Sequence, residues 1–169
     1  MEWLKTMNQP HTDLPSHTDR LHTPGIDMTT GSLGQGVSVA AGMAKAAKYM
    51  GSDVNVYTVL GDGEIAEGQV WEAFLFAAHY KLDNFCAIID LNGLQIDGHS
   101  FDDMEAAFAA FRACEGKPTA ILMKTIKGQG VSFMLNNAGW HGKAPNDAEY
   151  EIAMSELRAQ LAELEAAHE

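Results

Sequence analysis

The sequence predicts an α/β fold, a parallel sheet flanked by helices, in a single domain spanning residues 1–169. Three observations carry that expectation. Two apolar runs, Val54–Leu60 and Phe85–Leu91, are separated by a helix-length segment, a β-α-β pattern that calls for parallel strands and a crossover helix. A third run, Thr119–Thr125, follows another helical stretch. Each of the first two runs ends in a polar cluster, Gly61-Asp62-Gly63 and Asn92-Gly93, and open parallel sheets bind ligands outside the carboxyl ends of their strands. Asp62 and Asn92, 30 residues apart, are therefore expected to converge at one crevice. A carboxylate and an amide oxygen there suit a hard cation that also holds a phosphate.

The chain is long enough for a proper core, and its 46% hydrophobic and 20% charged residues read as an ordinary globular protein. A net charge of −12 argues against nucleic acid, which needs a basic footprint. No apolar run approaches membrane-spanning length, and MEWLKTMNQPH does not read as a signal peptide. A cytoplasmic location is the expectation. Cys86 and Cys114 match neither a zinc site nor CxxC, so they read as reduced structural thiols.

Residues 1–24 hold Pro10, Pro15, Pro24 and the histidines His11, His17 and His22, and apart from a short helix near Trp3 they read as a surface loop. Gly31, Gly34 and Gly36 then precede a helix-compatible run from Val37 to Met50, with Gly51 at its end. Glycines before a helix let backbone N–H groups approach a phosphate, or simply allow close packing of helix on sheet. The spacing alone does not choose between the two. After the first strand, Glu67 or Gly68 opens the crossover helix to Tyr80, with Val70, Trp71, Phe74, Leu75 and Ala78 as its apolar stripe. Glu64 and Glu67 sit where carboxylates favour a helix start. Asp102-Asp103 begin a helix to Ala113 that buries Met104, Ala107, Phe108 and Phe111. A long glycine-rich loop containing Trp140-His141-Gly142 follows the third strand, and loops of that length in compact domains are usually functional or disordered. Asn146 with Glu149 has the form of a capping box for a last helix striped by Tyr150, Ala153, Met154, Leu157, Leu161 and Leu164.

Four segments together closely resemble the thiamine-diphosphate-binding domain of transketolase: HTPGIDMTTGSLGQGVSVAAGMAKAAK, VYTVLGDGEIAEGQVWEA, IIDLNGLQIDG and KPTAILMKTIKGQGVSFM with the later WHG. More particularly, the chain looks like the amino-terminal subunit of the split bacterial and archaeal type, from about Leu14 to the last helix. The resemblance implies thiamine diphosphate and Mg²⁺ as cofactors. It implies Asp62, Asn92 and the Leu94 carbonyl as metal ligands, and Gly63 as a backbone contact to the diphosphate. Gly31 and Leu33 match positions that touch the cofactor. Glu67 matches a glutamate in an acidic network between subunits and stands with the cofactor-binding set. His141 matches a histidine near the diphosphate and the substrate's reactive end, and His17 one facing the cofactor and the sugar hydroxyls. Both histidines are candidate catalytic groups, since imidazole is the side chain that exchanges protons near neutral pH.

The implied activity is transfer of a two-carbon ketol unit from a ketose phosphate to an aldose phosphate, with protein supplying placement and proton transfers. It places the chain in the pentose phosphate pathway. The implied partner is a carboxyl-terminal subunit carrying the pyrimidine-binding domain, in a dimer or heterotetramer, with no membrane or nucleic-acid partner. The chain alone is expected to be inactive. Two pieces of the family pattern are missing from the sequence: a leading helical segment, and a helix and strand between Gly98 and His99. Their loss supports an alternative, a non-catalytic remnant or interaction module of the same fold. Another thiamine-diphosphate enzyme is a weaker third reading.

Overall fold

The computed structural model describes residues 2–91 and 96–167. Its elements run α1 (Gln35–Tyr49), β1 (Val56–Gly61), α2 (Gly68–His79), β2 (Phe85–Leu91), β3 (Ile96–Asp97), α3 (Phe101–Arg112), β4 (Thr119–Lys124) and α4 (Asp147–Ala167). Short 3-10 turns cover Glu2–Thr6, Glu64–Ala66 and Ala138–Trp140. Among the described residues the strands form one parallel sheet in the order β1-β2-β4-β3.

That order fixes where the helices go. The unit β1-α2-β2 steps across the sheet in one direction and β3-α3-β4 steps back, so right-handed crossovers place α2 and α3 on opposite faces. On one face Val70, Ala73 and Ala77 of α2 and Val37, Ala40, Ala41 and Ala44 of α1 cover Leu60, Phe85, Ala87 and Ile89. On the other, Phe111 of α3, with Ala107 and Phe108, covers Cys86, Ile88 and Ile121. Alternate residues of β2 thus serve opposite layers, and residues 85–89 are all buried because both faces are covered. A fully buried Leu or Phe contributes roughly 1.5–3 kcal/mol, against about 0–1 kcal/mol for a surface ion pair. The apolar layers therefore hold the sheet together.

Polar ties finish its amino end. Lys48 at the close of α1 reaches Asp83 at 2.6 Å and the Lys81 carbonyl at 3.0 Å, while Asp83 also accepts from Gly116 N–H at 2.9 Å. The hydrogen bond from Lys48 is the main cause holding the Asp83 carboxyl below its usual range. Buried Asn84 donates from Nδ2 to the Ala44 and Val54 carbonyls, joining α1 to the start of β1.

One expectation needs correction. The α2 stripe is not the one expected from the large side chains: Trp71 is 56% and Leu75 71% exposed, and the helix is buried through Val70, Ala73 and Ala77. The physical reason is the partner helix. The α1 face is built from alanines, so α1 and α2 approach through small residues and the bulky ones turn outward. The α4 stripe, whose partner the sequence did not decide, is partly covered, with Ala153 buried and Leu157, Leu161 and Leu164 exposed.

The structure also adds β3, which the sequence pattern did not indicate. Leu91 ends β2 on one side of β4 and Ile96 begins β3 on the other, with only residues 92–95 between. Parallel strands ordinarily need a crossover of a dozen or more residues. Here β3 is two residues long and meets only Met123 and Lys124 at the end of β4. The turn into α3 is closed by its own hydrogen bonds. Gly98 N–H donates to the Lys124 carbonyl at 2.8 Å, His99 N–H to Asp97 Oδ1 at 2.9 Å, and Asp103 N–H to the Ser100 cap at 3.2 Å.

The capping box of α4 is present in both directions. Glu149 N–H donates to Asn146 Oδ1 at 3.0 Å, and Asn146 N–H donates to Glu149 Oε2 at 2.8 Å. A side-chain cap of this kind contributes about 1 kcal/mol to its helix. The hydrogen bond from Asn146 is also the main cause holding the Glu149 carboxyl below its ordinary value.

Candidate functional site

The carboxyl ends of the strands form the candidate site, and the sheet register sets its geometry. Gly61 of β1 stands opposite Asp90 of β2, which stands opposite Met123 of β4. Asp62, one residue past β1, is therefore level with Leu91, the residue before Asn92. Asn92 and Leu94 themselves lie outside the described residues. Asp62 and Gly63 are both exposed at the mouth of this end. Gly63 N–H, assigned to a diphosphate by the resemblance, donates to Asp62 Oδ1 at 2.7 Å. One turn thus presents a hard carboxylate oxygen and a backbone donor side by side, the chemistry that a cation and its phosphate require.

The leading segment is drawn to the same region. Residues 18–20 run against 29–30: Thr30 N–H donates to the Thr18 carbonyl at 3.4 Å, the Thr18 and Thr30 hydroxyls lie 3.2 Å apart, and Arg20 N–H donates to Thr29 Oγ1 at 3.2 Å. This pairing sets His17 directly on Gly31. Gly31 has φ +153°, and a Cβ there would come within 2.4 Å of the His17 ring, so no other residue fits without displacing the imidazole. His17, Thr30, Gly31, Ser32, Gln35 and Val39 line an open cavity of about 460 Å³. Leu33 is exposed beside it, just before α1.

The entry to α1 is fastened to the turn after β1. Gly34, the helix cap at φ +81°, is buried and donates its N–H to Glu64 Oε1 at 2.8 Å. A Cβ on Gly34 would meet the Glu67 Cβ at 3.2 Å, which sets Glu67 against the start of α1 while leaving its residue exposed. Gly34, Glu64 and Glu67 are thus gathered by one hydrogen bond and close packing.

His141 stands on a separate loop. Its N–H closes on the Ala138 carbonyl at 3.0 Å and the residue is exposed. Beside it Trp140 donates from Nε1 to the Phe133 carbonyl at 3.1 Å, and Lys143 lies 3.9 Å from the centre of its ring. The first half of this loop is tied to α4. Glu156 accepts from Ser132 N–H at 2.7 Å and from its hydroxyl at 2.5 Å, and Gln160 Nε2 donates to the Gly130 carbonyl at 2.8 Å. The Ser132 bonds hold the Glu156 carboxyl below its ordinary value.

Sequence reasoning missed several polar groups here. Asp90 accepts from the Thr125 hydroxyl, and Thr125 N–H donates to the Leu91 carbonyl at 3.1 Å, so the ends of β2 and β4 are locked together. His99 Nε2 accepts from Ile126 N–H at 2.9 Å, which places the proton of a neutral ring on Nδ1. An aspartate closing an otherwise apolar strand was an available signal for Asp90. Glu64, Glu156 and Gln160 offered none, because their partners are 24 to 30 residues away.

Comparison with known proteins gives this geometry its setting. A family model described as the transketolase thiamine diphosphate binding domain matches residues 1–103. A 6-deoxy-6-sulfo-D-fructose transketolase subunit of Clostridium sp. (strain MSTE9) is 38% identical over 187 residues, covering 95% of this chain and 68% of that one. An apulose-4-phosphate transketolase subunit of Actinobacillus succinogenes is 38% identical over 183 residues, covering 93% and 66%. Among solved structures, transketolase from Campylobacter jejuni superposes with a TM-score of 0.72 at 23% identity, over 98% of this chain and 35% of that one. Transketolase from Leishmania mexicana gives 0.70 at 24%, over 98% and 33%. The chain thus spans about two thirds of the subunits it matches and about a third of the solved chains.

Proposed function

The chain belongs to the transketolase family, in its thiamine-diphosphate-binding domain, and from that premise we propose that it is the diphosphate-binding half of a split transketolase. In this reading it works with a pyrimidine-domain subunit to move a two-carbon ketol unit from a ketose phosphate to an aldose phosphate. The observation that carries it is the register of β1 on β2, which sets the Asp62-Gly63 turn level with the entry to Asn92. The described donors, an exposed Asp62 carboxylate beside the Gly63 N–H, are of the kinds that suit a cation and its phosphate. Asp62, with Asn92 and the Leu94 carbonyl, would hold Mg²⁺, and Gly63 would hold the diphosphate. Gly31 and Leu33 would touch the cofactor, and Glu67 would face the partner subunit. When bound, thiamine diphosphate supplies the carbanion chemistry that makes and breaks the carbon–carbon bond.

The protein's own part is placement and proton exchange. His17, held against Gly31, is proposed to hold and release protons at the substrate through its imidazole, and His141 to do so from the loop pinned by Glu156. The relatives are named for sugars ending in a sulfonate or a phosphate, so the substrate class proposed is a ketose with an anionic terminus. A dimer or heterotetramer in the cytoplasm, serving the pentose phosphate pathway, completes the proposal.

One observation favours the second reading, a non-catalytic protein of this fold. The Clostridium match runs over 187 positions while using 95% of this chain, about 161 residues, so about 26 positions of that relative have no counterpart here. We place the shortening between Gly98 and His99. The assay that separates the readings mixes the chain with the pyrimidine-domain subunit from the same genome, Mg²⁺, thiamine diphosphate, a ketose phosphate and an aldose phosphate. Turnover is expected in the mixture and in neither protein alone. Cofactor binding without turnover in the mixture would establish the non-catalytic reading, and turnover by this chain alone would overturn the partner requirement.

A further inference from the structure

Glu64 follows the Asp62-Gly63 turn and opens the 3-10 turn Glu64–Ala66. Its position suggests a helix-start residue, but its carboxylate is engaged elsewhere. Oε1 accepts the Gly34 N–H at 2.8 Å, across 30 residues of chain, and Oε2 accepts the Gly61 N–H at 3.4 Å. Gly34 caps α1 without a side chain, and the first turn of α1 contains no acidic residue. The carboxylate serving the positive end of α1 therefore comes from a different element. Glycine suits position 34 because its φ is +81° and a Cβ there would lie a tight 3.2 Å from the Glu67 Cβ.

We propose that Glu64 is a positioning residue for the cofactor site, clasping the Gly31–Gly34 loop to the Gly61–Gly63 turn so that both segments meet thiamine diphosphate at one fixed spacing. The inference rests on the functional reading above. Charge makes the assignment testable by sign. A carboxylate beside a diphosphate is electrostatically unfavourable, so if Glu64 merely occupied the place of the anion, removing it would tighten binding. If it sets the spacing, removing it weakens binding in spite of the lost repulsion. Glutamate suits the clasp because its two oxygens accept from two backbone donors at once. Glutamine retains one accepting oxygen, enough for the shorter bond to Gly34, and alanine retains none.

The test is calorimetric titration of thiamine diphosphate with Mg²⁺ into the parent chain, Glu64→Ala and Glu64→Gln. Glu64→Ala is expected to bind about 10-fold to 100-fold more weakly, the usual cost of losing a group that orients a ligand-binding residue, with Glu64→Gln recovering most of the loss. Amide hydrogen exchange without cofactor supplies an independent readout. Gly34 should exchange faster in Glu64→Ala than in Glu64→Gln, while the β2 amides stay protected in both and report an intact core. Equal or tighter binding by Glu64→Ala overturns the proposal, as does unchanged exchange at Gly34. A parent that binds no cofactor even with the pyrimidine-domain subunit present would instead remove the functional reading, leaving the exchange result to decide whether the clasp exists.

Discussion

Asp62→Ala is expected to abolish Mg²⁺-dependent binding of thiamine diphosphate, lowering affinity by about 100-fold or more, since losing even an outer-shell group costs about 10–100-fold. The aspartate stands one residue past β1, level with the end of β2, where its oxygen is the hard, charged donor that Mg²⁺ selects. A cation would matter more here than in a basic protein. The chain has a net charge of −12, so a diphosphate approaching without a metal meets an unfavourable field. The fold should survive the substitution, because Asp62 is exposed and lies outside both apolar layers. Calorimetry of parent and variant, each with Mg²⁺ and with a chelator, separates the contributions. The chelated parent should resemble the variant in either condition. Parent-like binding by Asp62→Ala would show that the metal is held elsewhere.

Among the helices that cover the sheet, the largest effect on stability is expected from Phe111→Ala, a loss of about 3–5 kcal/mol in denaturant unfolding, the range for removing a buried phenylalanine. Phe111 is 1% exposed and is the fully buried residue of α3. It packs with Cys86, Ile88 and Ile121, and its ring meets that of Tyr57 edge to face at 5.4 Å. On the opposite face the covering helices α1 and α2 bury only valines and alanines, and the fully buried phenylalanine there, Phe85, belongs to strand β2 itself. A loss below about 1 kcal/mol, the size of an ordinary surface substitution or slightly more, would mean that α3 does not lie on the sheet as described. Because Phe111 is remote in sequence from the Asp62 turn and belongs to the other layer from Gly34, cofactor affinity should change little while the variant remains folded.

How much of this was legible in the sequence follows from the range of each interaction. Strand β2 was read to the residue, Phe85–Leu91, because a strand buried on both faces is a continuous apolar run. The α3 face and the α4 capping box were legible because their patterns are complete within a few residues. The α2 face was misread because residue size does not reveal which helix will be the neighbour. Ala73 and Ala77 are buried by the alanines of α1, and Trp71 is left outside. Strand β3 was invisible because two residues have no periodicity, and only pairing with Met123 and Lys124 defines it.

The candidate site divides along the same line. The Asp62-Gly63 turn was legible as a strand end, and the register confirms its level against β2. His17 was named by family likeness alone. What fixes it on Gly31 is the pairing of residues 18–20 with 29–30, which no local pattern announces. Glu64 looked like a local helix-start group and proved to be a long-range one.

The layer beneath α3 also contains a chemical clock. Cys86 is fully buried between the sheet and Phe111, and burial pushes its thiol up to about 11. A buried thiol with so little thiolate is inert to alkylating reagents at neutral pH. Cys114, two residues past the end of α3, is only half buried, with its Sγ 3.7 Å from the Lys117 carbonyl. A reagent therefore counts one cysteine in the closed protein and two once α3 has lifted. The rate at which the second sulfur becomes modified measures how often that layer opens, without any label having been introduced.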